Sequence, residues 1–162
     1  MVDYQTLSIV LTGIGLMIAL TYYSLQIRNQ NRTRQAQLFM QMYNRWRDDT
    51  KGLDVNSVVM TKLSGFNEFL EKNQSDENFR EVLDALFGFY EGLGVIVKEG
   101  YMDIRLVALM WAGMTRRFYE NIVDPIIDGA IEYWNSPRAW SETVYVCKEL
   151  IKYMDEHTEL KT

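Results

Sequence analysis

The stretch LSIVLTGIGLMIALTYYSLQI, Leu7 to Ile27, runs 21 residues without a charged side chain. As a helix rising about 1.5 Å per residue it reaches about 30 Å, the thickness of a hydrocarbon core. A cleaved signal peptide would carry a positive leading region, a shorter apolar core and a small-x-small cleavage site. Here the leading MVDYQT holds one acid and no base, and the apolar run passes straight into arginines. The pattern predicts a retained single span, with Tyr22 and Tyr23 near the membrane–water boundary where aromatic rings prefer to lie.

The next segment sets the orientation. Residues 28–47 carry Arg28, Arg32, Arg34, Arg45 and Arg47 and no acid. Bases close to a span hold that end in the cytoplasm, and guanidinium groups gain about 1 kcal/mol each beside anionic headgroups. The expected topology is single-pass in the cell membrane, N-terminus outside and C-terminal domain cytoplasmic, with Arg28, Arg32 and Arg34 at the membrane surface. Within the span, Ser8, Thr12, Gly15 and Ala19 fall on one face. Such a seam of small residues allows two membrane helices to approach closely, although isolated small residues also occur in spans that pack against nothing.

Neither glycine nor proline interrupts the chain between Gly15 and Gly52, and its Gln, Arg, Met and Leu are good helix formers. One helix from about Tyr4 to Asp48 is therefore expected, about 65 Å long, with roughly half beyond the bilayer as a stalk. Ala36, Phe39, Tyr43 and Trp46 recur at helical spacing and give that stalk an apolar docking face.

Gly52, in DTKGLDVNS, is the first hinge. Helical periodicity then predicts a helix over Val58–Lys72 and a strongly apolar one from Phe79 to about Glu99. Gly100 and Asp103 mark a joint, as C-terminal stop and N-cap. A long helix follows from Ile104 to Trp134, which Pro125 must kink or split. Ser136–Pro137 is expected to open a last helix ending near Glu156. No alternating β pattern of useful length occurs. The fold class is all-α: an N-terminal transmembrane helix continuing into a stalk, followed by a small helical bundle. The divisions are 1–27 for tail and span, 28–48 for the stalk, 49–157 for the bundle and 158–162 for a tail.

Several chemistries lack their residues. One histidine, His157, cannot supply a His-based triad or the paired Glu-x-x-His motifs of di-iron bundles. One cysteine, Cys147, excludes an intrachain disulfide and two-cysteine metal motifs, and it lies on an apolar stripe with Trp140, Val144, Ile151 and Met154. Gly88, Gly92 and Gly94 follow no strand and precede no Lys–Ser or Lys–Thr pair, so they are no phosphate loop. Close helix packing or a kink explains them better. From residue 48 onward 21 acidic residues face 12 basic ones, a poor match to nucleic acid.

Two features invite a functional reading. Arg116 and Arg117 lie mid-helix before Glu120, and one of them is expected to pair with Glu91 on the adjacent helix. The pair would be structural, or part of a ligand site. The 21 Phe, Trp and Tyr residues are numerous for a small core. Trp111, Trp134 and Trp140 would form an exposed partner surface if they exceed what the core buries.

FYEGLGVIVKEGYMDIRLV, the later RRFYE and DP, and the helix after SPRAW carry a family likeness. With the N-terminal span and Arg-rich segment, the chain resembles a widespread bacterial and archaeal family of single-span membrane proteins with a small helical cytoplasmic domain of unknown function. Tyr90–Glu91, Gly94, Gly100 and Asp103 are its most specific part. The resemblance implies a fold and a topology and supplies no catalytic residues. The functional expectation is a non-enzymatic, membrane-anchored scaffold or accessory subunit, without cofactor, whose partners are the lipid bilayer and a membrane protein or a second copy. The alternative is a tethered ligand or effector sensor with a polar pocket near Glu91 and Arg116; a carboxylate-based enzyme ranks third.

Overall fold

A computed structural model describes residues 3–157; the side chains of Thr6 and Ala112 and the tail 158–162 lie outside the described residues. Among these residues the chain forms seven α-helices, one π turn and no strand. The first helix, α1, runs unbroken from Tyr4 to Asp49, as expected. Compactness divides the chain inside it, between Phe39 and Met40. Composition alone ends the stalk at 48, whereas packing draws the last turns of α1 into the bundle.

In the first unit, every residue from Leu7 to Ile27 is exposed. Hydroxyls along this helix bond back to the preceding turn: Thr12 to the Ser8 carbonyl at 2.8 Å, Thr21 to Met17 at 2.8 Å and Ser24 to Leu20 at 2.9 Å. Each of these three hydroxyls is thereby satisfied without water.

In the second unit, the end of α1 docks by its aromatic residues. Trp46 is buried and meets Phe89 at 5.3 Å, and Tyr43 meets Trp111 at 6.1 Å. The expected helix over Val58–Lys72 is two helices, α2 (Val55–Met60) and α3 (Phe66–Ser75), parted by an extended segment. Its apolar positions keep a helical period, but the Leu63 amide leaves the local ladder and donates to the Asn121 carbonyl at 2.9 Å. Helix α4 (Glu77–Lys98) starts at Asp76, whose carboxylate accepts from the Phe79 amide at 3.0 Å.

The joint that follows is built as its sequence suggests. Gly100 takes the left-handed conformation at φ +73° and Asp103 accepts from the Arg105 amide at 2.8 Å. Helix α5 (Ile104–Phe118) then passes through a π turn, Tyr119–Val123, into α6 (Asp124–Trp134). Pro125 sits in the first turn of α6. It has no amide proton for the Asn121 carbonyl four residues back, and that carbonyl is the one Leu63 uses.

The last helix, α7, runs Ser141–Glu156 and begins later than expected. Ser136 and Pro137 belong to a turn instead, and Trp140 takes a left-handed conformation at φ +50°. That conformation strains a bulky residue. It lets the Trp140 ring stack on Phe87 at 3.9 Å and 13°, with Trp134 edge-on at 4.9 Å. Helix α7 packs against α4 and α5, and α3 against α6. The core between them holds Leu86, Tyr90, Leu93, Phe118, Ile122 and Leu150, each fully buried.

Candidate functional site

The residues singled out by sequence fall at different places. Glu91 lies at the N-terminal end of α7, where its carboxylate accepts the Thr143 amide at 2.9 Å. It is a cap lent by a neighbouring helix, replacing the Ser136 cap expected from sequence. Lys98, two turns further along α4, reaches Glu142 at 2.9 Å and lies 5.5 Å from the Tyr145 ring. Between them Gly94 lets the α4 backbone touch the Glu142 backbone. Close packing therefore explains Gly94, whereas a β-carbon at Gly88 or Gly92 would meet nothing.

Arg116 lies at the other end of α7. Its guanidinium donates to Asp155 at 2.7 Å and Glu120 at 3.5 Å. The expected pairing with Glu91 is not formed. Twelve residues of α7 separate Thr143 from Asp155, about 18 Å along the axis. No single pocket collects Glu91 and Arg116.

Arg117, one residue on, makes no ion pair or hydrogen bond among the described residues. It borders an open cleft of about 460 Å³, where Trp46 of α1 and Thr50 in the turn after it face Val55, Asn56 and Val59 of α2, with Gly113 and Met114 on the α5 side. A second cleft of about 400 Å³ lies on the other side of Trp46, against Gly88 and Gly92. Trp46 and Asn56 carry no local sequence signal for this role, because the cleft is assembled by contacts between segments far apart in the chain.

The buried polar groups are structural. The Thr115 hydroxyl donates to the Trp111 carbonyl at 2.8 Å, so the Tyr90 hydroxyl, also at 2.8 Å, is the donor to Thr115. Burial pushes the Tyr90 phenol well above its ordinary range. Burial likewise raises the Cys147 thiol, which keeps it protonated and unreactive. Burial, then the hydrogen bond to Asp124 at 3.1 Å, raises Tyr119 to about 12. The aromatic surplus is only partly exposed: Trp111 is buried and Trp140 half-buried, while Trp134 is 44% exposed and Tyr133 64%. Among the described residues no three His, Cys, Asp or Glu side chains gather as metal ligands.

In the first unit, Arg28, Arg32 and Arg34 are exposed and make no ion pair among the described residues. Arg45 and Arg47 pair with Asp49 and Asp48 at 3.5 and 4.0 Å. Ser8, Thr12, Gly15 and Ala19 are exposed along one face of α1.

The fold and these sites define an all-α protein with one N-terminal helix long and apolar enough to cross a membrane, followed by a helical bundle. The chain belongs to the family described as Domain of unknown function (DUF4760), which it matches over residues 9–150. No curated protein and no solved structure matches it.

Proposed function

We propose that this protein is a single-pass membrane protein whose helical bundle lies in the cytoplasm and acts as a non-enzymatic scaffold or accessory subunit for a membrane protein partner or a second copy. The observation that carries the anchoring is the bare apolar surface of α1. Ile9, Met17 and Ile18 are each about two-thirds exposed, and none of the most apolar window is covered by the rest of the chain. A buried core helix would be covered, and water would leave that surface unpaid for by any polar face. Internally bonded hydroxyls and three free arginines just beyond Ile27 support the same reading and the inward orientation.

The assembly role rests on the seam at Ser8, Thr12, Gly15 and Ala19 and on the exposed aromatic rings of Tyr133 and Trp134. Affinity purification of tagged full-length protein from native membranes in mild detergent, with mass and stoichiometry measured together, tests it. A companion at fixed ratio, or a defined homo-oligomer, is the expected result. Recovery as a monomer alone sinks the assembly reading. Protease added outside intact cells should leave the bundle whole; digestion beyond Arg47 would show the inverse orientation.

A further inference from the structure

The geometry points to a ligand site in the cleft beside Trp46, for a small amphiphilic monocarboxylate whose head is held by Arg117. The two neighbouring arginines have opposite fates. Arg116 is paired with two acids, whereas Arg117 stands at the rim of an apolar cavity with no partner among the described residues.

The cavity has the make-up of a small-molecule pocket. Its volume, about 460 Å³, is within the usual range for such sites. Trp46, Val55, Val59 and Met114 supply apolar wall, while the Asn56 amide makes no hydrogen bond among the described residues and is free to bond a ligand. Gly113 leaves the α5 wall of the cleft open: beyond its own helix backbone and chain neighbours, nothing lies within 4 Å of where its β-carbon would be. A larger side chain at 113 would therefore occupy the cleft rather than clash with the chain.

The charge count selects the head group. One guanidinium and one amide match a single negative charge with two oxygens, which guanidinium binds in bidentate fashion. A phosphorylated ligand would bring further charge into an acidic body with no second base lining the cleft. The apolar walls favour a hydrocarbon or aromatic body over a sugar or a polar metabolite.

Full-length protein in zwitterionic lipid nanodiscs should be titrated calorimetrically with decanoate and with naphthalene-2-carboxylate. Naphthalene-2-carboxamide serves as the neutral control, and heats from empty nanodiscs are subtracted. At least one carboxylate should bind saturably at one site per chain, with the carboxamide about tenfold weaker or more. Arg117→Gln should weaken the carboxylate about tenfold and leave the carboxamide unchanged. Gly113→Leu, which fills open space, should abolish both without lowering the melting temperature. Absence of saturable binding by both carboxylates overturns the site. So does binding that neither substitution changes, because it would reflect another surface or lipid partition.

Discussion

Gly94 and Glu142 meet backbone to backbone: a β-carbon at 94 would lie 2.7 Å from the Glu142 carbonyl carbon. No side chain is available there to move aside, so the start of α7 must shift. Gly94→Ala should destabilise the bundle by about 1–3 kcal/mol through overpacking. Gly88→Ala and Gly92→Ala on the same helix meet open space and should each stabilise by about 1 kcal/mol through helix propensity. Thermal unfolding of the full chain in detergent, followed by tryptophan fluorescence, separates the signs. A melting temperature that falls equally for all three would refute the close-contact explanation.

Glu91 and Arg116 should be energetically independent. Glu91→Ala removes the cap on the Thr143 amide and should cost about 1 kcal/mol. Arg116→Ala removes a partly exposed pair with Asp155 and should cost less than about 1 kcal/mol, an effect that shrinks with added salt. The double variant should equal the sum of the two within about 0.5 kcal/mol. A larger coupling would mean that the two side chains communicate, as a shared pocket requires.

Local chemistry was legible and long-range chemistry was not. Gly100 and Asp103 act within a few residues of themselves, so their stop and cap could be read directly. The unbroken α1 followed from the absence of Gly and Pro over a long run of good helix formers. The capping role of Glu91 is hidden, and its pairing with Arg116 suggests itself instead, because its partner, the Thr143 amide, lies 52 residues away. Arg116 stands out by its charge, but its partner Asp155 is 39 residues off. The break between α2 and α3 was hidden for a related reason. Val59, Leu63, Phe66 and Phe69 suit a helix, and only a distant carbonyl tells the Leu63 amide to leave it. Trp140 shows the same limit, since stacking on Phe87 overrides a plausible Ser–Pro helix start.

Tyrosine titration should be heterogeneous. Tyr119, raised to about 12 by burial and by Asp124, is protonated in the folded protein while an unfolded-chain tyrosine ionises near 10. Its contribution to stability is therefore full below about 10 and is lost as pH rises from there through about 12. Difference absorbance between the parent and Tyr119→Phe should show the missing phenolate step near 12. A step near 10 would contradict the burial of Tyr119 first, and its contact with Asp124 second. Cys147 should resist aqueous thiol reagents until the bundle unfolds, because it is fully buried.

Asn121 should hold the extended segment between α2 and α3 with two bonds. Its carbonyl accepts the Leu63 amide at 2.9 Å and its side-chain amide donates to the Val59 carbonyl at 3.0 Å. Pro125 cannot use that carbonyl, so the crossing segment completes an acceptor the helix leaves open. Asn121→Ala keeps the first bond and strands the Val59 carbonyl, which should cost about 1–3 kcal/mol. Asn121→Asp should cost at least as much at neutral pH, because a carboxylate would face that carbonyl as acceptor against acceptor. Protonating the aspartic acid restores an O–H donor. The deficit relative to the parent should therefore narrow as pH falls through about 4 and widen as it rises. Hydrogen exchange should show the loss first at the amides of Val58 to Leu63, the strand of contacts that also supplies Val59 to the Arg117 cleft. Exchange that instead rises evenly across α4 and α7 would mean that Asn121 supports the whole core rather than this one segment.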